Sequence, residues 1–141
     1  MVNMKAQLLS LLALATLTAA APASENINPL QPRAVDCRDD LGESSLARAS
    51  EAAECINYLA SLGAQACVAS VSGTSFCRRG QTQITGLSLL GGGDSTRSSC
   101  QNVARGAGQI MDLCTRGDGT VRGQTPAWGN GNMIVDIRRV P

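Results

Sequence analysis

The sequence predicts a small α+β sandwich stapled by disulfides, with an antiparallel sheet and two helices on one face. Three observations lead there: six cysteines behind an apolar leader, two segments whose apolar residues recur every three or four positions, and short strand-like runs separated by turn residues. At the N-terminus, Lys5 precedes an uncharged apolar run from Ala6 to Leu17, and the small residues Thr18 and Ala20 stand where signal peptidase reads. Residues 1–20 are therefore expected to be a secretory signal peptide. The run is too short to span a bilayer, so no membrane anchor is expected. Residues 21–33 lack periodicity and read as a disordered pro-segment or tail. Cleavage after Arg33 and an uncleaved linker both stay open. A single cysteine-rich domain is expected over 34–141.

In SSLARASEAAECINYLASLG, an apolar arc of Ala49, Ala52, Cys55, Ile56, Leu59 and Leu62 predicts the first helix, with Ser44 and Ser45 as cap candidates and Gly63 closing it. Ala66 to Val71 and Thr74 to Arg78 read as strands around a Ser72-Gly73 turn, and Gln81 to Leu89 continues with partial alternation, a hairpin or meander. The Gly91-Gly92-Gly93-Asp94-Ser95 run reads as a flexible loop. The second helix is predicted over SCQNVARGAGQIMDLC, where Cys100, Val103, Ala107, Ile110 and Cys114 share a face. Gly106 and Gly108 each cost about 1 kcal/mol there relative to Ala, which points to close packing of another backbone or to a disulfide that stabilises the helix from outside. Thr120 to Gln124 reads as a strand, Trp128 to Asn132 as a turn, and Met133 to Val140 as the best strand, with Met133, Val135, Ile137 and Arg139 on one side.

Cys37, Cys55, Cys67, Cys77, Cys100 and Cys114 form an even set in a chain expected to be exported, so all six are expected in disulfides. With no Cys-x-x-Cys pair and no His, metal binding is not expected, and no cofactor is implied. Cys100 and Cys114 would stand about 21 Å apart on an intact helix, so each must tie it to a different element. The Ser72-Gly73 turn sets Cys67 and Cys77 nearly opposite each other, so a bridge between them is one available pairing. Of the 12 basic residues only Lys5 is a lysine; without the leader, eleven arginines face eleven acidic residues. That balance argues against nucleic acid or anionic membrane as partner. Lacking His and Lys, the mature chain has no parts for a Ser-His-Asp triad, a Cys-His pair, a Lys Schiff base or a Walker loop.

The remaining acid–base candidates are Asp39, Asp40, Glu43, Asp112, Asp118 and Asp136, expected mainly at solvated turns and helix ends. Arg116, Gly117 and Asp118 spell a cell-adhesion tripeptide. The structural reading is preferred: a cation at a helix C-terminus, a left-handed cap at Gly117, and a turn into the next strand. Arg78-Arg79 and Arg138-Arg139 read as solvated strand ends in preference to a ligand site. Trp128 reads as a core plug, with an exposed binding anchor as the other reading, because only Tyr58 and Phe76 accompany it as aromatics.

From Phe76 to Ile137 the motifs FC, GQTQITG, CQNVARGAGQIMDLC, GTVRG and GNGNMIVDI resemble small cysteine-rich secreted proteins of filamentous fungi, and more remotely the killer-toxin and extracellular-effector group typified by killer protein four of smut fungi. The resemblance implies an α/β sandwich and a secreted role. The N-terminal part, the cysteine number and the missing lysines differ from those toxins, and no functional residue is carried over. The expectation is a non-enzymatic secreted effector, a monomer, acting outside host cells, in the apoplast if the fungus is plant-associated, by binding a host defence protein, inhibitor or receptor. A killer-type toxin against competing cells is the alternative, and a small carboxylate-dependent hydrolase the third.

Overall fold

The computed structural model describes residues 35–141. The expected signal peptide and the stretch 21–33 lie outside the described residues. After a 3-10 turn at Glu43–Ser45 the elements are β1 (Ala47–Arg48), α1 (Ala49–Ser61), β2 (Ala66–Ala69), β3 (Thr74–Arg79), β4 (Thr82–Ser88), β5 (Thr96–Ser99), α2 (Cys100–Cys114), β6 (Thr120–Val121), β7 (Gly123–Ala127) and β8 (Asn130–Arg139). Strands β3-β4-β8-β7 make an antiparallel four-stranded sheet, and β1-β6 and β2-β5 make two short ribbons. Both helices cover one face of the large sheet, α1 over β3 and β4, α2 over β7 and β8. The small disulfide-stapled α+β sandwich is the architecture of the chain.

Between sheet and helices lies a core of modest side chains. Ala52, Cys55 and Leu59 of α1 and Val103, Ala107 and Ile110 of α2 meet Ile84, Met133, Val135 and Ile137, all fully buried. The alternation of β8 thus places its residues as the pattern requires. Phe76 sits at a bulge of β3, so that it and Cys77 both turn toward the helices; a Cβ on Gly86 would collide with its ring. Helix α2 approaches β7 so closely at Gly106 that an added Cβ would stand 3.2 Å from the Pro126 carbonyl oxygen, whereas one on Gly108 would meet open space.

Several local expectations are corrected. β2 does not pair with β3. It pairs with β5, Cys67 opposite Ser98, because the Cys67–Cys100 disulfide brings the start of α2, and the strand leading into it, beside β2. Cys67 and Cys77 are therefore not bonded; Cys77 joins Cys55. Ser44 and Ser45 are not caps of α1. The helix starts after Arg48, whose side chain makes no cap bond, and the Ala49 N–H donates to the Gly119 carbonyl at 2.9 Å. The glycine run holds a 3-10 turn at Gly91–Gly93. Ser99 caps α2 by accepting from the Asn102 N–H at 3.3 Å.

Candidate interaction surface

The sheet has one face under the helices and one face open. Pleating sends Gln83, Thr85 and Leu87 of β4 and Ile134, Asp136 and Arg138 of β8 to the open side, where Gln124 of β7 joins them. The loop before β1 reaches over this face through Arg38. Its backbone has φ of 52°, a left-handed conformation that a residue with a Cβ rarely adopts, held by its N–H donating to Asp36 Oδ1 at 2.8 Å and by the Leu41 N–H donating back to its carbonyl. That kink aims the guanidinium at Gln124 Oε1, 2.9 Å away, and at both oxygens of Asp40, 3.0 Å each.

Charges on this face are answered by neighbours. Arg38 holds the Asp40 carboxyl below the usual carboxylate range, chiefly by its hydrogen bonds, and is itself raised by them. Arg138 grips Asp136 two residues earlier on the same side of β8, Nε to Oδ1 at 2.8 Å, and that bond raises the guanidinium. Gln83 donates to Thr85 at 2.9 Å. Between these polar pairs lie the side chains of Ile134, Val140 and Leu87, which is 36 % exposed. The result is a shallow, mixed surface whose ionisable groups are fixed in place.

The six cysteines are joined as Cys37–Cys114, Cys55–Cys77 and Cys67–Cys100. The first fastens the incoming chain to the end of α2, the second ties α1 to β3, and the third ties the start of α2 to β2. Arg116, Gly117 and Asp118 stand exposed on the α2–β6 loop, which the Gly119 carbonyl and the β1–β6 ribbon tie to the start of α1. Asp118 Oδ1 accepts from the Thr120 hydroxyl at 2.6 Å and its N–H at 3.1 Å, and the hydroxyl bond is the main cause holding the carboxyl low. The left-handed residue of this turn is Gly119, with φ of 83°; Gly117 is not a left-handed cap, since α2 ends through an extended Thr115. Trp128 is not a core plug. It is half-buried, with the Arg105 guanidinium 5.8 Å from its ring centroid. It follows β7, where the chain turns toward β8.

The acids disperse. Asp39 lies 3.6 Å from Arg122, Asp40 and Asp136 hold arginines, Asp118 closes a turn, and Glu43 and Asp112 are exposed. Among the described residues no three His, Cys, Asp or Glu side chains gather to hold a metal, and no helix is long and apolar enough to cross a membrane.

Two arrangements escaped the sequence reading. Arg122, only 4 % exposed, donates to the Gly42 carbonyl at 2.8 Å and to Ser45 Oγ at 3.0 Å, splitting the expected Thr120 to Gln124 strand into β6 and β7. The sequence carried no signal for it: Val121, Gly123 and Thr125 face the core, and Arg122, on the other side of the strand, is buried by the loop carrying Gly42 and Ser45. Glu51 in the first turn of α1 accepts from the buried Thr82 hydroxyl at 2.8 Å, linking that helix to β4. The hydroxyl also accepts from the Arg48 N–H at 3.1 Å, so it is a structural tie.

A family model described as Domain of unknown function (DUF8794) matches residues 32–139. No curated protein and no solved structure matches the chain.

Proposed function

The chain belongs to the family described as Domain of unknown function (DUF8794), and from that premise we propose that it is a secreted, non-enzymatic effector that acts outside host cells by binding a host extracellular protein. The observation that carries this reading is the open face of the sheet. Its charged groups are locked in pairs around Ile134 and Leu87, which suits complementary contact better than bond making. The carboxylates that acid–base work would need are already bonded: Asp40 by Arg38 and Asp136 by Arg138 on this face, Asp118 by Thr120 on its loop. Three disulfides on so thin a core suit an oxidising compartment, and the leader read at residues 1–20 supplies the route out of the cell. The apoplast of a plant host is the setting the resemblance favours.

The test is to infiltrate the purified, oxidised protein into plant leaves beside a growth assay on competing fungi. A plant response without fungal growth arrest is expected. Growth arrest without a plant response would replace this reading with that of a killer-type toxin.

A further inference from the structure

One end of the large sheet concentrates positive charge. Register sets Arg79 and Arg139 on either side of Thr82 in one cross-strand row, and Arg78 and Arg138 on either side of Gln83 in the next. Arg48 joins them, because it lines one cleft with Arg139, Glu51 and Thr82. The described residues form three ion pairs, Arg38–Asp40, Arg122–Asp39 and Arg138–Asp136, and Arg78 is held by the Gly80 and Pro141 carbonyl oxygens at 3.0 and 2.6 Å, whereas Arg48, Arg79 and Arg139 have no carboxylate within ion-pair distance among the described residues. Glu51, the acid in the cleft, accepts from Thr82 and lies close against Gly80, and its one charge leaves the cleft net positive beside Arg48 and Arg139. Charged residues often blunt the edges of sheets, which accounts for Arg78 and Arg79 on the edge strand β3. It does not account for arginines at the end of β8, whose neighbours in the sheet are β4 and β7. Gathering like charges in a chain whose charges otherwise balance costs electrostatic energy that an anionic partner would recover.

We propose that this arginine end, with Arg48, Arg79 and Arg139 at its centre, is a docking surface for an acidic segment of a partner protein. Guanidinium forks take carboxylates in a bidentate way. β3 and β8 lie two strand spacings apart, about 10 Å, which matches carboxylates three residues apart on one face of a polyproline II-type segment, at about 3.1 Å per residue. Tyr58, 43 % exposed, lies beside Arg79 with the guanidinium 5.3 Å from its ring, and Tyr and Arg together are the residues that dominate protein interfaces. The choice of a protein partner rests on the function proposed above, while the positive surface itself does not.

Binding of a labelled oligoglutamate peptide, at about 20 mM and about 200 mM salt, tests this without any host assay. Saturable binding that weakens with salt is expected. The double variant Arg79→Gln, Arg139→Gln should weaken it by about tenfold or more, while Arg97→Gln, Arg105→Gln, which removes the same charge near the opposite end of β8, should change it by less than about threefold. The matching Arg→Lys double should keep part of the binding, and melting curves identify any variant that is not folded; in that event Arg139→Gln against Arg105→Gln gives the same contrast. Absence of saturable binding, or equal losses in the two doubles, overturns the surface. Tighter binding of oligogalacturonate than of oligoglutamate overturns the protein partner in favour of an acidic polysaccharide. A leaf response that survives loss of oligoglutamate binding would remove this surface and leave the proposed function standing.

Discussion

Cys37 and Cys114 are bonded across 77 positions of sequence with their Cα atoms 5.3 Å apart, so the segment entering the domain is fastened to the last residue of α2. At the other end of the same helix Cys100 is bonded to Cys67 of β2. A helix weakened by two internal glycines is thereby clamped at both ends to different elements, and the polar loop carrying Arg38 is held over the open face of the sheet by the same bridge that closes the helix.

Replacing Cys114 or Cys100 by Ser is expected to do more than loosen a loop. On chain entropy alone the Cys37–Cys114 bridge contributes about 4.5 kcal/mol and the Cys55–Cys77 bridge, closing 22 positions, about 3.4 kcal/mol. Cys114→Ser should thus lose secretion or melt lowest, Cys100→Ser should lie between, and Cys77→Ser should be mildest. Denaturant midpoints of the three variants check the order.

Gly106→Ala and Gly108→Ala should part company. Alanine at 108 meets open space and should stabilise by about 0.5–1 kcal/mol through helix propensity. At 106 the new methyl presses on the β7 backbone at Pro126, and that gain should be cancelled or reversed. Thermal melts of the two variants give the comparison.

The helices, the β8 alternation and the two-ended clamp of α2 were legible because each rests on periodicity or on the reach of a disulfide. The β2–β5 ribbon was not, since Thr-Arg-Ser-Ser carries no alternating apolar pattern and its partner is chosen by a bridge 33 positions long. The start of α1 was misplaced because its first donor is satisfied by the distant Gly119 carbonyl, which no local cap signal reports. The Arg38 kink over Gln124 depends on a left-handed arginine, a conformation that composition does not announce.

Asp118→Ala should leave biological activity nearly intact, because its carboxylate is spent on the Thr120 turn. Asp118→Asn, which keeps an acceptor, should melt closer to the parent protein. Loss of activity in an Asp118→Ala protein that secretes and melts normally would make Arg116-Gly117-Asp118 a recognition site.

Stability should be level from about pH 5 to about pH 8, because the chain has no His and no other side chain ordinarily titrates there. The Asp40 and Asp118 carboxyls are held low by Arg38 and Thr120. Such groups stabilise the fold above their unfolded value, about 3.9, and lose that contribution as pH falls through the lower folded value. Melting temperatures should therefore decline only below about pH 4. A marked decline between pH 7 and pH 5 would show that another group governs folding.

A non-reducing peptide map of the protein recovered from culture medium tests most directly whether this is an exported domain held together by its three bridges. It should find Cys37–Cys114, Cys55–Cys77 and Cys67–Cys100 linked, no free thiol, and a chain lacking residues 1–20. Stoichiometric labelling of any two cysteines, a different pairing, or a cell-retained protein still carrying its leader would contradict it.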